Sequence, residues 1–225
     1  MTHVPNGTYK RQPLRWAPPG ERWRWSVERF HGTRAERVQH AVVALAVRPM
    51  IDAALRCVFD VRALNGPPPA RSIVVSRHVS YWDPVLMALC DLRIKPLGNA
   101  HWFRQGVVSW YARHARALPN DTAGLLRARR HLRSGGVVWM APAGYTAVEH
   151  QPPRHGAWRL ARLADAALVP AIIRGTEAFP KLDLPRKPRQ LIEIEYGQPR
   201  RLPPGPTHAS HTIWMDVLGD AGIEA

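Results

Sequence analysis

The sequence predicts a single α/β domain: a largely parallel central sheet flanked by helices, with an N-terminal amphipathic helical segment before it. Three observations lead there. From Ser72 onward, short apolar runs rich in Val and Ile alternate with longer stretches of helical apolar spacing. The turn and cap signals Asn65-Gly66-Pro67-Pro68-Pro69, Asp83-Pro84 and Ser134-Gly135-Gly136 fall between those runs. The chain's 225 residues, 25.3 kDa, suffice for one sizeable core and are too few for two domains of usual size.

Residues 1–33 read as a basic arm rich in Pro and Trp, with Trp16, Trp23 and Trp25 set among Arg15, Arg22 and Arg24. Such a segment suits either a disordered tail or an interfacial lipid-binding arm. The domain then takes residues 34–225. Val38, Val42, Leu45, Ile51, Leu55 and Val58 recur at roughly helical spacing, so one or two amphipathic helices are expected from Arg34 to about Val61, kinked or split at Pro49. Ser72–Ser76 reads as a buried strand. Asp83 stands as N-cap, with Pro84 at the first position, of a helix through Leu92. Helices are expected at Phe103–His114, Asp121–Arg133, Gly156–Ala166 and His208–Leu218, and strands at Val137–Ala141, Leu168–Ile173 and Leu191–Tyr196.

Composition narrows the function classes. No apolar run approaches the ~18 residues a spanning helix needs, and the first residues hold no apolar core of a secretory signal. Cys57 and Cys90 are too few for a disulfide framework or a Cys-rich metal site. The net charge of +15 calls for an anionic partner, although the excess of Arg, Ala and Pro is equally what a G+C-rich genome imposes. The expectation is a cytoplasmic protein bound peripherally to the inner face of the cell membrane.

One stretch carries chemistry: Ser76-Arg77-His78-Val79-Ser80-Tyr81-Trp82-Asp83-Pro84. A histidine just past a strand and a carboxylate at the next helix start can meet. The carboxylate would hold Nδ1 in one tautomer, leaving Nε2 to take a proton from a hydroxyl. On these residues alone, Asp83 as a plain cap and His78 as a plain loop residue remain open. His211 and Asp216 repeat the spacing, but within one expected helix, where five residues place them roughly 140° apart around the axis. Gly-x-Ser-x-Gly is absent, which favours direct attack by an activated hydroxyl over a covalent acyl-enzyme.

Several stretches together resemble the lysophospholipid acyltransferases, the PlsC-like or 1-acylglycerol-3-phosphate acyltransferase family, over about residues 68–202. His78-Val-Ser-Tyr-Trp-Asp83-Pro84 is similar to its first motif. Trp139-Met-Ala141-Pro142-Ala143-Gly144-Tyr145-Thr146 falls where the family has Phe-Pro-Glu-Gly-Thr-Arg, and Leu168-Val-Pro170-Ala-Ile-Ile resembles its fourth motif. Gly156-Ala-Trp-Arg-Leu-Ala161 and Ile192-Glu-Ile-Glu-Tyr196-Gly197-Gln-Pro199 are similar to the family's Gly-Ala-x-x-Leu-Ala helix and last strand.

The resemblance implies His78 as general base and Asp83 as its orienting carboxylate. It further implies no metal, no bound cofactor, and an acyl-CoA or acyl carrier protein thioester as co-substrate. The implied partners are a lipid acceptor and an anionic membrane surface, with nucleic acid not expected. Arg77, Ala143, Gly144, Tyr145 and Arg154 are the expected substrate-binding residues. The departures bear on the acceptor: Ala143 and Thr146 replace the family's Glu and Arg, and His114-Ala-Arg116-Ala-Leu-Pro119-Asn120 lacks the Arg expected at the end of the second motif. A glycolipid or secondary-metabolite acceptor, and a noncatalytic basic module on the same fold binding membrane or nucleic acid, remain as alternatives. Arg127, Arg129, Arg130 and Arg133 suit a solvated helix face or an anchor for coenzyme A phosphates or an acidic carrier protein.

Overall fold

Strands buried at every position need cover on both faces, and two such strands form the centre of the sheet. The structure, a computed structural model, describes residues 48–99, 117–144, 152–179, 181, 185, 189–204 and 208–223. Strands β2 (Ser72–Val75) and β5 (Val137–Met140) are buried throughout and pair in parallel, Ile73 opposite Val138 and Val75 opposite Met140. β6 (Ala167–Arg174) flanks β2 on its other side. β3 (Ile94–Gly98) and β4 (Leu118–Pro119) extend one edge, and β7 (Gln190–Tyr196) and β1 (Phe59–Leu64) the other, giving the order β1-β7-β6-β2-β5-β3-β4. β6 and β7 pair antiparallel and the other pairings are parallel, so β1 and β7 run against the rest.

Helices cover both faces. α1 (Arg48–Val58) and α2 (Asp83–Cys90) pack over one, where Leu86, Met87 and Leu89 meet Val74, Trp139 and Ile192. α3 (Thr122–Arg133), α4 (Gly156–Ala164) and α5 (His208–Asp220) cover the other, where Leu132, Leu160 and Trp214 meet Ile73, Val138 and Leu168. The Asp121 carboxylate caps α3 by accepting from Gly124 N at 2.7 Å. Gly124 also permits the close approach of α3 to β4, since a Cβ there would fall 1.7 Å from the Pro119 oxygen.

The chain leaves β2 through α2 on one face and leaves β5 through α4 on the other. With right-handed crossovers, those two connections travel in opposite directions along the sheet. The carboxyl ends of two adjacent parallel strands therefore part to opposite sides. That parting opens the crevice in which α/β sheets place their ligands.

The boundaries correct the sequence reading in four places. The helix expected to reach Val61 ends at Val58, because Phe59, Val61 and Ala63 alternate with half-buried Asp60, Arg62 and Leu64 and so form a strand with period two. β3 and β4 were not expected: β3 is short and carries Lys95 and Pro96, and β4 has two residues. α2 stops at Cys90 because Asp91 turns extended and its carboxylate binds Arg93. Asp83 is not the N-cap: Trp82 holds that position without a side-chain cap, Asp83 is the first helical residue and Pro84 the second. The arm at 1–33, residues 34–47 and the expected helix Phe103–His114 lie outside the described residues. No described helix is long and apolar enough to cross a membrane.

Candidate active site

The turn from β2 into α2 is built around one carboxylate. Asp83 is fully buried, and its Oδ2 accepts from Val79 N at 2.8 Å, Ser80 N at 2.9 Å and His78 Nδ1 at 3.1 Å. From the first turn of its helix it reaches back over the preceding loop. It therefore satisfies two amides of that loop and orients the imidazole in one step. Its Oδ1 has no hydrogen-bond partner among the described residues, so the buried charge rests on three donors to a single oxygen. The hydrogen bond to a carboxylate assigns the proton of neutral His78 to Nδ1 and makes Nε2 the acceptor nitrogen. The His78 side chain keeps 17% of its surface exposed, enough for a reactant to approach the ring.

The same loop is fastened to its neighbours on both sides. Ser80 Oγ donates to Phe179 O at 2.7 Å, tying it to the segment that follows β6. Toward β5, Ser76 N donates to Met140 O at 3.3 Å and Trp139 Nε1 donates to Ser76 Oγ at 2.8 Å. Trp139 also stands edge-on to His78, ring centroids 5.4 Å apart at 89°. The sequence reading did not assign a role to Trp139 or Ser76. A signal was present: a tryptophan inside a fully buried strand needs an acceptor for its N–H, and Ser76 is the polar end of an otherwise apolar run.

The expected substrate-binding residues are dispersed. Beyond β5, Ala141–Gly144 forms a turn closed by Gly144 N donating to Ala141 O at 3.0 Å, with Gly144 at φ +68, a conformation that favours glycine. That bond engages the Gly144 N–H within the turn, and Pro142 has no N–H to give. Ala143 is buried and belongs to the core cluster that also holds Ala157, Leu160 and Trp214. Arg154 is brought to this turn, its backbone N donating to Pro142 O at 3.0 Å. Together with Pro152, Pro153, His155, Gly156 and Arg159 it lines a depression of ≈ 550 Å³ at the start of α4. Arg77 is exposed and extends instead toward Gly222, past the end of α5. Tyr145 lies outside the described residues.

The acyltransferase family model matches residues 59–174, a span that holds β1 through β6 and the whole His78–Asp83 turn. The chain belongs to the acyltransferase family. Its fold is similar to the crystal structure of the 1-acyl-sn-glycerophosphate (LPA) acyltransferase PlsC from Thermotoga maritima, with a TM-score of 0.55 and 16% identity over 90% of this chain and 86% of that one. No curated protein matches the chain.

Two further reactive groups of this acyltransferase, Cys90 and Tyr196, are buried. Cys90 lies under the sheet with Tyr196 Oη donating to its sulfur at 3.8 Å. Burial, above all, pushes the Cys90 thiol up to about 12 and the Tyr196 phenol well above its usual range. A thiol so held stays protonated and cannot serve as an acyl nucleophile. Cys57 is exposed on α1. His155 stands edge-on to Trp158 and tilted to Trp214, ring centroids 6.2 and 6.3 Å away, and among the described residues no group of His, Cys, Asp and Glu is arranged to hold a metal ion.

Proposed function

We propose that this acyltransferase moves a fatty acyl group from an acyl thioester, acyl-CoA or an acyl carrier protein, to a hydroxyl of a lysophospholipid or related lipid-like acceptor. His78 is the general base and Asp83 its orienting carboxylate. The observation that carries the reading is the fully buried Asp83 carboxylate on His78 Nδ1, at the carboxyl end of a central strand beside the parting of two crossovers. The acceptor O–H gives its proton to Nε2 while its oxygen attacks the thioester carbonyl. A C–O bond forms, the C–S bond breaks as the tetrahedral intermediate collapses, and the imidazolium returns the proton to the departing thiolate. Asp83 stays ionised throughout and stabilises the imidazolium.

Charge supports anionic partners. The chain carries +15. Arg127, Arg130 and Arg133 on α3 and Arg159 on α4 are exposed, beside exposed Leu126 and Leu163. This mixture suits the phosphates of coenzyme A, an acidic carrier protein or an anionic bilayer, where arginines meet headgroups and leucines enter the interface. The lipid-like acceptor is our reading from the motif resemblance at His78–Pro84, supported by a fold similar to that of an LPA acyltransferase. With Ala143 and Thr146 in place of Glu and Arg, we favour an acceptor whose headgroup does not depend on a third-motif arginine, a neutral lysolipid or glycolipid before lysophosphatidic acid.

A labelled acyl thioester offered in one tube with lysophosphatidic acid, neutral lysolipids and glycolipids tests both levels. Acylation of a neutral acceptor, lowered about 10²–10⁴-fold in His78→Ala, is the expected result. Absence of turnover with a folded wild-type chain would refute the catalytic reading and leave the noncatalytic module. Fastest acylation of lysophosphatidic acid, lost selectively in Arg77→Ala, Arg154→Ala or Arg159→Ala, would overturn the acceptor preference.

A further inference from the structure

We propose that Trp139 is a positioning residue for His78, acting with Ser76 and Asp83 to fix the imidazole. This rests on the reading of His78 as the base. The hydrogen bond at Nδ1 sets the direction of that nitrogen, while the tilt of the ring about the bond is set by what packs against the ring. Two further restraints meet at Trp139. Its indole is 3% exposed and stands perpendicular to the imidazole, 5.4 Å between centroids, as a wall against rotation. Its Nε1–H donates at 2.8 Å to Ser76 Oγ, whose own proton goes at 2.9 Å to the carbonyl of Arg77, the peptide unit that leads into His78. Ser76 is 1% exposed and its backbone N is also bound to Met140 O.

The peptide before His78 is thus held from β5, the two amides after it are held by Asp83, and the ring lies between a carboxylate and an indole. A buried indole N–H needs some acceptor, and any core carbonyl would serve for packing alone. Here the acceptor is two residues from the base and the same side chain touches the base itself. Placing a general base within a fraction of an ångström of its line of attack is what such supporting contacts achieve, and a misplacement of about 1 Å can cost about 10²-fold in rate.

The test uses Trp139→Phe, which keeps an aromatic ring and removes the N–H, and Ser76→Ala, which removes the relay. In each, kcat should fall about tenfold with KM for donor and acceptor unchanged, and Ser76→Thr, which retains the hydroxyl, should recover most of it. On protein labelled with ¹⁵N-histidine, the His78 ring signals, assigned by their loss in His78→Ala, should move from one Nδ1–H tautomer toward a mixture. A kcat within twofold of wild type in both folded variants, a loss confined to KM, or unchanged His78 ring signals would each overturn the proposal. If Trp139→Phe does not fold, Ser76→Ala decides alone. Should His78→Ala itself be fully active, the general-base reading falls, while the ring spectra still report whether Trp139 holds the imidazole.

Discussion

Two His–Asp pairs of identical spacing occur in this chain, and the structure treats them oppositely. His78 and Asp83 bridge the end of a central strand and the start of a helix, with the carboxylate fully buried and bonded to the imidazole. His211 and Asp216 both lie on α5; His211 is exposed, and Asp216 points to Arg200, Nη1 to Oδ2 at 3.0 Å. The difference teaches that spacing has no chemical content until secondary structure converts it into a direction. Five residues through a turn bring two side chains face to face, and the same five along a helix separate them by roughly 140°.

The largest contrast expected is in rate. His78→Ala should remove the acyl-transfer step almost entirely at a smaller cost in stability, because the ring is partly exposed and the buried Asp83 carboxylate, though it loses one donor, keeps its two backbone amides. Asp83→Ala should differ in kind. It strips the acceptor from two backbone amides as well as from His78, so a comparable loss of rate should come with a destabilisation of about 2 kcal/mol or more. Asp83→Asn should retain much of the fold and still lose rate, since an amide bears no charge to steady an imidazolium. Paired measurements of kcat and of denaturant midpoint separate the three. A destabilised but fully active Asp83→Ala would reduce Asp83 to a loop staple and break the comparison.

Legibility followed the same line. β2, β5 and the helices α3 to α5 were readable because their periodicities are uninterrupted and their ends are marked, as by Asp121 and by Ser134-Gly135. β1 was misread because Val58 and Val61 continue a helical series whose last positions also fit an alternating one, and only pairing with β7 decides between them. In the site, His78 and Asp83 were legible as local neighbours. Asp83's bonds to Val79 N and Ser80 N were hidden behind its expected role as a cap. The Trp139–Ser76 contact was hidden by distance, because 63 residues separate its partners and only the parallel register of β2 with β5 joins them.

A smaller effect belongs to the outer pair's actual partner. Arg200 is held in the isolated bridge to Leu168, by hydrogen bonds of 2.8 Å in each direction, and its guanidinium reaches both Asp216 and Asp220 on α5. All three side chains are partly exposed, so each ion pair should contribute about 0.2–1 kcal/mol. Arg200→Ala should lower the melting temperature by a few degrees at low salt, and less at high salt where the pairs are screened. A loss that persists undiminished in high salt would mean that Arg200 stabilises by packing and not by charge.

The smallest expected effect is the sharpest control. His211 is exposed on α5, and the carboxylate five residues on is turned away and engaged with Arg200. His211→Ala therefore removes an imidazole that touches neither the sheet's carboxyl edge nor a buried polar group. Alanine is also the better helix former by a few tenths of a kcal/mol. The variant should match wild type in acyl transfer within twofold and in unfolding free energy within about 0.5 kcal/mol, with any shift toward greater stability. Assayed beside His78→Ala under one set of conditions, it isolates context from composition, since both variants delete the same side chain at the same spacing from an aspartate. A loss of rate in His211→Ala approaching that of His78→Ala would show that exposure and helical direction do not separate the pairs, and the catalytic assignment would have to include α5.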